Sequence, residues 1–299
     1  MANNDDAAFN EDELYDENSL FDIGLNPTGD DGSSFRTQND PMAPYQRTNL
    51  TERKGAVDIR CSCLDVAHGL FNPDNVEEFT TLIVLKFTFD SRRRARRIAF
   101  ATIALEFASM EPGKPGPEVF SVSPQGSMVM VQSTAQQEVK RTAGLKLGAP
   151  PLAVVEAGGE LGWEKSVTMD TTDATKVTGS IDLKGRNYGP PNCASWTLLE
   201  NNTTKSGVPS VMRTAILLKR QNQAKFQCTF RIHAEVDYKS SLEMMFGAKP
   251  KDDPVWFDPD MDPTNRPQTY DIYNLGSIDL GSISDVTFTT VSDGAIKHV

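Results

Sequence analysis

From Phe226 to Tyr238 the chain alternates without a break. Phe226, Cys228, Phe230, Ile232, Ala234, Val236 and Tyr238 take the even positions, and Gln227, Thr229, Arg231, His233, Glu235 and Asp237 the odd ones. Successive side chains of a strand point to opposite faces, whereas a helix would spread this pattern around its circumference. The stretch therefore predicts a strand with one face in a core and the other toward water. Two neighbours repeat the signal. Met212, Ile216 and Leu218 oppose Arg213 and Lys219, and Ala194, Trp196 and Leu198 form a third alternating set. The links between them, GVPS and RQNQAK, carry the Gly, Pro and polar residues that suit hairpin turns. Three consecutive antiparallel strands, a meander, are the predicted heart of a β core.

The rest of the chain extends the same architecture. Val57, Ile59, Cys61 and Cys63 alternate with polar residues. Thr80 to Phe89 has Ile83, Leu85, Phe87 and Phe89 on one face but Leu82 and Val84 on the other, which predicts a central strand covered on both sides. Ile98 to Phe107 is a further apolar strand. Pro73 to Phe79 suggests a helical turn, and Ser240 to Gly247 a short helix with a Ser cap and a Gly stop. Ile278, Leu280, Val286 and Phe288 mark one or two closing strands. Gly-Ser-Ile-Asp-Leu occurs at 179–183 and again at 276–280, as two equivalent strands would leave it. The fold class is mainly β: an antiparallel β-sandwich with long hairpins, spanning 53–292, with a frayed end at 293–299.

Charge divides the chain in two. Ten carboxylates, from Asp5 to Asp31, precede the first basic residue, Arg36. Without those ten of its 41 acids, the chain has 31 acids against 30 Lys and Arg, so the net charge of -11 belongs to the start of the chain. Residues 1–52, acidic and rich in Asn, Gly and Pro, predict a disordered acidic tail, because little apolar surface is there to offset ordering entropy. The one dense basic cluster is Arg92, Arg93, Arg94, Arg96 and Arg97, between two apolar strands. It reads as a nuclear-localisation or nucleic-acid patch, as a dock for the acidic tail, or as a solvated hairpin end that blunts a sheet edge. The last is the plainest, since no aromatic residues for base stacking are interleaved. No signal-peptide pattern opens the chain and no run of about 18 apolar residues predicts a transmembrane segment. The four cysteines then imply reduced thiols and a cytoplasmic location, with nuclear the alternative.

Between Met128 and Lys184 the composition shifts to Ser, Thr, Gly, Ala and Val. Ala153 to Met169 alternates, Val177 to Leu183 alternates, and MDTTDA between them reads as the turn of a long hairpin. Long hairpins with one weakly apolar face occur at sandwich edges. They also occur in proteins that insert hairpins into membranes, where apolar and polar positions face lipid and lumen.

No stretch carries a catalytic or cofactor motif. There is no G-x-S-x-G and no H-E-x-x-H. Cys61 and Cys63 share a face, but no second Cys or His pair stands at zinc spacing, so core packing is the reading. Asp258, Asp260 and Asp262 begin like a calcium loop yet lack its Gly and distal Glu. His233 and Glu235 read as members of a charged surface ladder, and His68 as a loop residue beside Gly69. Trp163 and Trp256-Phe257 read as core or pocket aromatics. No cofactor and no metal are implied.

The segments WTLLEN, SGVP, AILLKR, FRIHAEVD and DDPVWFDP, within 193–259, are similar to a group of uncharacterised proteins from filamentous fungi. The resemblance implies an intracellular fungal protein and transfers no functional residue. The function read from the sequence is a non-enzymatic intracellular binding or scaffold module, with a protein or an anionic ligand as partner. One alternative is a membrane-active protein using hairpin strands within 136–184. The other is an enzyme with its site in the loops at a sandwich end.

The alternation generates a direct test. Phe230→Ala and Ile232→Ala are each expected to cost about 2–4 kcal/mol in chemical denaturation, and Arg231→Ala less than about 1 kcal/mol. Equal losses on both faces would place the strand inside a doubly covered sheet.

Overall fold

The structure, a computed structural model, describes residues 26–27, 37–54, 57–91, 97–143, 163–236, 252–264, 269–292 and 295–298. Its strands in chain order are β1 (Asn26–Pro27), β2 (Asn49–Lys54), β3 (Val57–Asn72), β4 (Asn75–Ser91), β5 (Ile98–Ser109), β6 (Glu118–Ser123), β7 (Gly126–Ala143) and β8 (Trp163–Asp182). They continue with β9 (Cys193–Leu199), β10 (Val211–Arg220), β11 (Phe226–Val236), β12 (Val255–Phe257), β13 (Asp285–Thr287), β14 (Thr289–Ser292) and β15 (Ala295–His298). A single helical turn, α1, covers Leu280–Ile283.

Two antiparallel sheets face each other, as the mainly β reading predicts. The first has the order β1-β2-β3-β4-β10-β13, with β6 also on β10; the second runs β12-β11-β5-β9-β8-β7. Ile59 and Cys61 of β3, Leu85 and Phe87 of β4 and Ile216 of β10 meet Ile103 of β5, Trp196 of β9 and Phe226 of β11 in one buried cluster. Phe230 and Ile232 lie on that inward face of β11, while Arg231 is exposed.

The strand Thr80 to Phe89 is central and doubly covered, as its two apolar faces predict. Ile83, Leu85, Phe87 and Phe89 enter the inter-sheet core. Leu82 and Val84 enter a second cluster on the outer side of the sheet, with Ala67, Ala215 and Leu217, roofed by Leu275, Leu280 and Ile283. Residues 275–283 thus form a lid of helical turns where the sequence pattern predicts a strand at Ile278 and Leu280, whereas Val286 lies in a strand as predicted, β13 on β10. Leu280 lies in α1, capped by the Asp279 carboxylate accepting from the Gly281 amide. The two Gly-Ser-Ile-Asp-Leu copies are consequently unlike: one lies in β8, the other in this lid.

The predicted meander does not form. β9 pairs with β5 and β8, β11 pairs with β5 and β12, and β10 lies in the opposite sheet against β4. Each link that reads as a hairpin turn carries the chain from one sheet to the other. Local turn chemistry is the same in both cases, so only the packing of two apolar faces decides. The same holds for β4 and β5, which belong to different sheets, so the Arg-rich link between them does not close a hairpin. Pro73 and Asp74 form a tight turn between β3 and β4 in place of the predicted helical one.

The domain boundaries also move. The predicted disordered tail runs to residue 52, but its described part from 37 onward is folded onto the sandwich. Leu50 is fully buried, and the 52/53 boundary falls inside β2. The polar composition misleads here because the segment is held by charge. Arg53 Nη2 meets Asp252 Oδ2 at 2.7 Å with both side chains buried. The same carboxylate accepts from Thr51 Oγ1 at 2.7 Å and, through Oδ1, from the Thr37 amide at 2.9 Å. At the other end, within the predicted frayed 293–299, β15 pairs with β14. The predicted helix at 240–247 lies outside the described residues.

Asp252→Ala removes the buried ion pair with Arg53 and the hydrogen bonds that the same carboxylate accepts from Thr51 and Thr37. It is expected to cost about 3 kcal/mol or more in equilibrium unfolding, and a loss below about 1 kcal/mol would mean that other partners of Arg53 or water take over the role.

Candidate functional site

The most unusual element is the hairpin β7–β8. Its register runs from Gly126↔Gly179 to Ala143↔Trp163, with one irregularity between Met130 and Gln132. β8 passes straight through MDTTDA, which reads as a turn in the sequence. Thr168, Thr171, Thr172 and Thr175 are β-branched and favour the strand that the two Asp residues argue against. The link between β7 and β8, 144–162, lies outside the described residues.

Only the root of this hairpin belongs to the wider sheet. Lys176 to Asp182 pair with β9, whereas β8 from Trp163 to Thr175 pairs, among the described residues, with β7 only. A loop clamps the boundary: Asn201 Nδ2 donates to the Asp173 carbonyl at 3.2 Å, and the Thr203 amide to Asp173 Oδ2 at 3.1 Å. Gly179 sits at the root. A Cβ there would lie 1.9 Å from the Pro124 carbonyl oxygen and 2.9 Å from Trp196 Nε1. From Gln132↔Ala174 to Ala143↔Trp163 the ribbon is two strands wide for 12 residue pairs, a length of about 40 Å at the usual rise per strand residue.

Register sorts this ribbon into two sets of positions. One set pairs Thr134 with Thr172, Gln136 with Asp170, Glu138 with Thr168, Lys140 with Ser166 and Thr142 with Glu164, all polar. The other pairs Ala135 with Thr171, Gln137 with Met169, Val139 with Val167, Arg141 with Lys165 and Ala143 with Trp163. Every large apolar residue of the ribbon falls in the second set.

A second feature lies at one end of the sandwich. His68 is in β3, not in a loop. Gly69, which suggests a loop in the sequence, is there because the Ile272 carbonyl oxygen would stand 1.9 Å from any Cβ. His68 is buried; its Nε2 lies 2.7 Å from Gln46 Nε2 and its Nδ1 2.9 Å from Thr81 Oγ1. Gln46 Nε2 also donates to the Asp258 carbonyl at 3.3 Å. That second bond makes the Gln46 amide the donor to His68, so the imidazole accepts at Nε2 and carries its proton on Nδ1. Burial, and then the Arg220 charge, pull its pKa down to about 3, with Asp258 acting in the opposite sense. Nearby, Lys225 Nζ meets Asp258 Oδ2 at 2.8 Å and Tyr45 Oη at 3.0 Å. These bonds hold the ammonium above its usual range. Burial pushes the Asp258 carboxyl up, but the bonds from Lys225 and the Asp260 amide prevail and leave it below its usual value.

The other residues singled out in the sequence are dispersed. Arg92, Arg93, Arg94 and Arg96 lie outside the described residues. Arg97 is described, and its Nε donates to the buried Glu200 at 2.8 Å, a carboxylate that also accepts from the Gly207 amide. His233 and Glu235 lie 3.5 Å apart, both partly exposed. Cys61 and Cys63 are buried free thiols whose pKa values burial raises, Cys63 to about 12. Asp258 serves Lys225, and among the described residues no group of His, Cys, Asp and Glu could hold a metal ion. Trp256 lies beside Tyr45, and Phe257 stacks on Phe226 at 4.9 Å. Among the described residues no helix is long and apolar enough to cross a membrane, which leaves crossing by strands unaddressed.

No family model matches the chain, and no curated protein does. Among solved structures, the Clostridium perfringens delta-toxin aligns at 10% identity over 70% of this chain and 91% of its own, with a TM-score of 0.29. The Clostridium perfringens NetB toxin in its membrane-inserted form aligns at 9% identity over 60% of this chain and 78% of its own, with a TM-score of 0.27.

His68 supplies a pH test. A folded pKa near 3 against about 6.5 in the unfolded chain means that the unfolded state binds the extra proton between those values. Stability is therefore full above about pH 6.5 and falls as pH drops toward 3, by up to about 1.4 kcal/mol per pH unit. Denaturant unfolding at pH 7, 6 and 5 is expected to record this decline, and His68→Gln to flatten it. An unchanged slope in the variant would assign the decline to other groups.

Proposed function

We propose that the protein is membrane-active and that the β7–β8 ribbon is its inserting element. The observation that carries this reading is the register of the free ribbon. All large apolar residues fall at positions of one parity, and the opposite parity is polar but for Ala174 at the root. Such alternation faces lipid on one side and water on the other once hairpins close into a barrel. The 12 pairs of the free ribbon exceed the 9–11 residues that a tilted strand needs to cross a bilayer. Trp163, beside Arg141 and Lys165, adds the residue types that settle at headgroup level. The link 144–162 contains Leu145, Leu147, Leu152, Val154, Val155 and Leu161 with only three charged residues, Lys146, Glu156 and Glu160. Among the described residues no third strand pairs with this part of the ribbon.

The test is dye release from phosphatidylcholine–phosphatidylserine liposomes. The full-length protein is expected to cause leakage. Val167→Arg, a charge on the apolar parity, is expected to reduce its rate about tenfold or more, and Thr168→Arg, on the polar parity, to leave it within about twofold. Circular dichroism melting controls for folding of both variants. No leakage from the parent, or equal leakage from the two variants, overturns the reading and favours the binding or scaffold module.

A further inference from the structure

The end of the sandwich where β3 turns into β4 holds an open cleft of about 690 Å³. Its walls include Glu77 and Phe79 of β4, Glu118 of β6, Arg186 of the 184–191 loop, and Lys219 and Arg220 at the end of β10.

Arg220 is the anomaly. Only 5% of it is exposed. Nη1 donates to the Asn222 carbonyl and to Gln223 Oε1, and Nη2 to the Thr80 carbonyl, so every acceptor is neutral. Nε has no acceptor at all, and among the described residues no carboxylate forms an ion pair with this guanidinium. A buried charge without a counter-charge costs several kcal/mol, and a buried donor without an acceptor adds to that. Burial lowers its pKa to about 10, offset in part by the more distant Asp260. The neighbouring His68 gives no relief, being neutral for the same reason.

Two further cations line the cleft. Lys219 Nζ stands 3.8 Å from the centre of the Phe71 ring and 4.4 Å from that of Phe120, so aromatic faces hold it. Arg186 is exposed and donates only to the Pro190 carbonyl, at 2.6 Å. A small void beside the cleft shares Arg220 and is lined by Lys225 and by no acid.

We propose that this cleft binds a small ligand bearing an oxyanion, with Arg220 as the charge that receives it and Lys219 and Arg186 as flanking cations. An incoming carboxylate or phosphate supplies the missing counter-charge and an acceptor for Nε–H, because an Arg fork matches the geometry of both. Glu77, Glu78 and Glu118 line the same cleft. They repel a polyanion and accept from hydroxyl or amine donors, so the ligand class is a compact polar molecule with one acidic group. The inference stands independently of the membrane reading.

Inorganic phosphate and acetate, at constant ionic strength, are the probes. In the full-length ¹⁵N-labelled protein, the Arg220 Nε–H resonance is expected to shift saturably with at least one of them, with a dissociation constant of about 1 mM or below. Saturation by phosphate alone assigns a phosphoryl ligand, and saturation by acetate a carboxylate. Arg186→Ala, in an exposed loop, and Lys219→Ala are each expected to weaken binding about threefold or more without lowering the unfolding temperature of the free protein. A linear drift, or no shift with either anion, overturns the proposal. So does saturable binding that neither variant weakens.

Discussion

The indole of Trp196 is fully buried in the second sheet, tilts against Phe87 of the first at 6.3 Å between ring centres, and donates from Nε1 to the Pro124 carbonyl at 3.0 Å. Three things meet at that point: the inter-sheet core, the turn between β6 and β7, and Gly179 of β8. An aromatic of this size sets the spacing of the two sheets, and its single polar atom must find a partner because it is cut off from water. The partner is the backbone at the start of the long hairpin. The hydrophobic contact that closes the sandwich and the hydrogen bond that orients the hairpin root are therefore made by one side chain.

From that root outward the constraints fall away in order. The first pairs of the hairpin share the sheet with β9, Asp173 is clamped by the loop after β9, and beyond it, among the described residues, β7 and β8 pair only with each other. A ribbon held in this way is fixed at its base by the core and carries its own backbone hydrogen bonds along its length. In the function proposed for it, this ribbon is the part that changes surroundings, while Lys176 to Asp182 keep their pairing with β9. The cleft at Arg220 depends on the core differently. β10 must run its full length under β4 to deliver Lys219 and Arg220, and the burial that keeps His68 neutral also leaves Arg220 without a counter-charge.

Much of the strand content was legible because period-two alternation survives in any half-buried sheet. Phe226 to Val236, Ile98 to Phe107 and Thr80 to Phe89 are all strands, and the doubly apolar pattern of the last marked it as central. Pairing partners were not legible. GVPS and RQNQAK have turn chemistry whether the chain returns beside its predecessor or crosses to the facing sheet. Thr51 and Arg53 are hidden within a polar stretch because their partner is Asp252, some 200 positions away, and Leu50 is a lone apolar residue beside them that enters the inter-sheet core. His68 had a usable signal, a histidine inside the apolar run from Val66 to Leu70, but Gly69 disguised it. Arg220 had none, since an arginine at a strand end reads the same exposed or buried. The hairpin shows in the composition, but its turn does not: the Asp residues of MDTTDA suggest a turn, whereas the threonines between them carry β8 straight through.

Alternation and apolar content, which are properties of each segment alone, determined that this chain makes antiparallel sheets with a buried face, and that one stretch of it is an amphipathic hairpin. Which strands lie side by side, which sheet each enters, where the hairpin leaves the sheet and which charges are buried without partners are relations between distant segments. Such relations depend on how the faces interdigitate around Trp196 and Phe87. Contacts between distant residues leave no period in the sequence, so only the tertiary structure decided them.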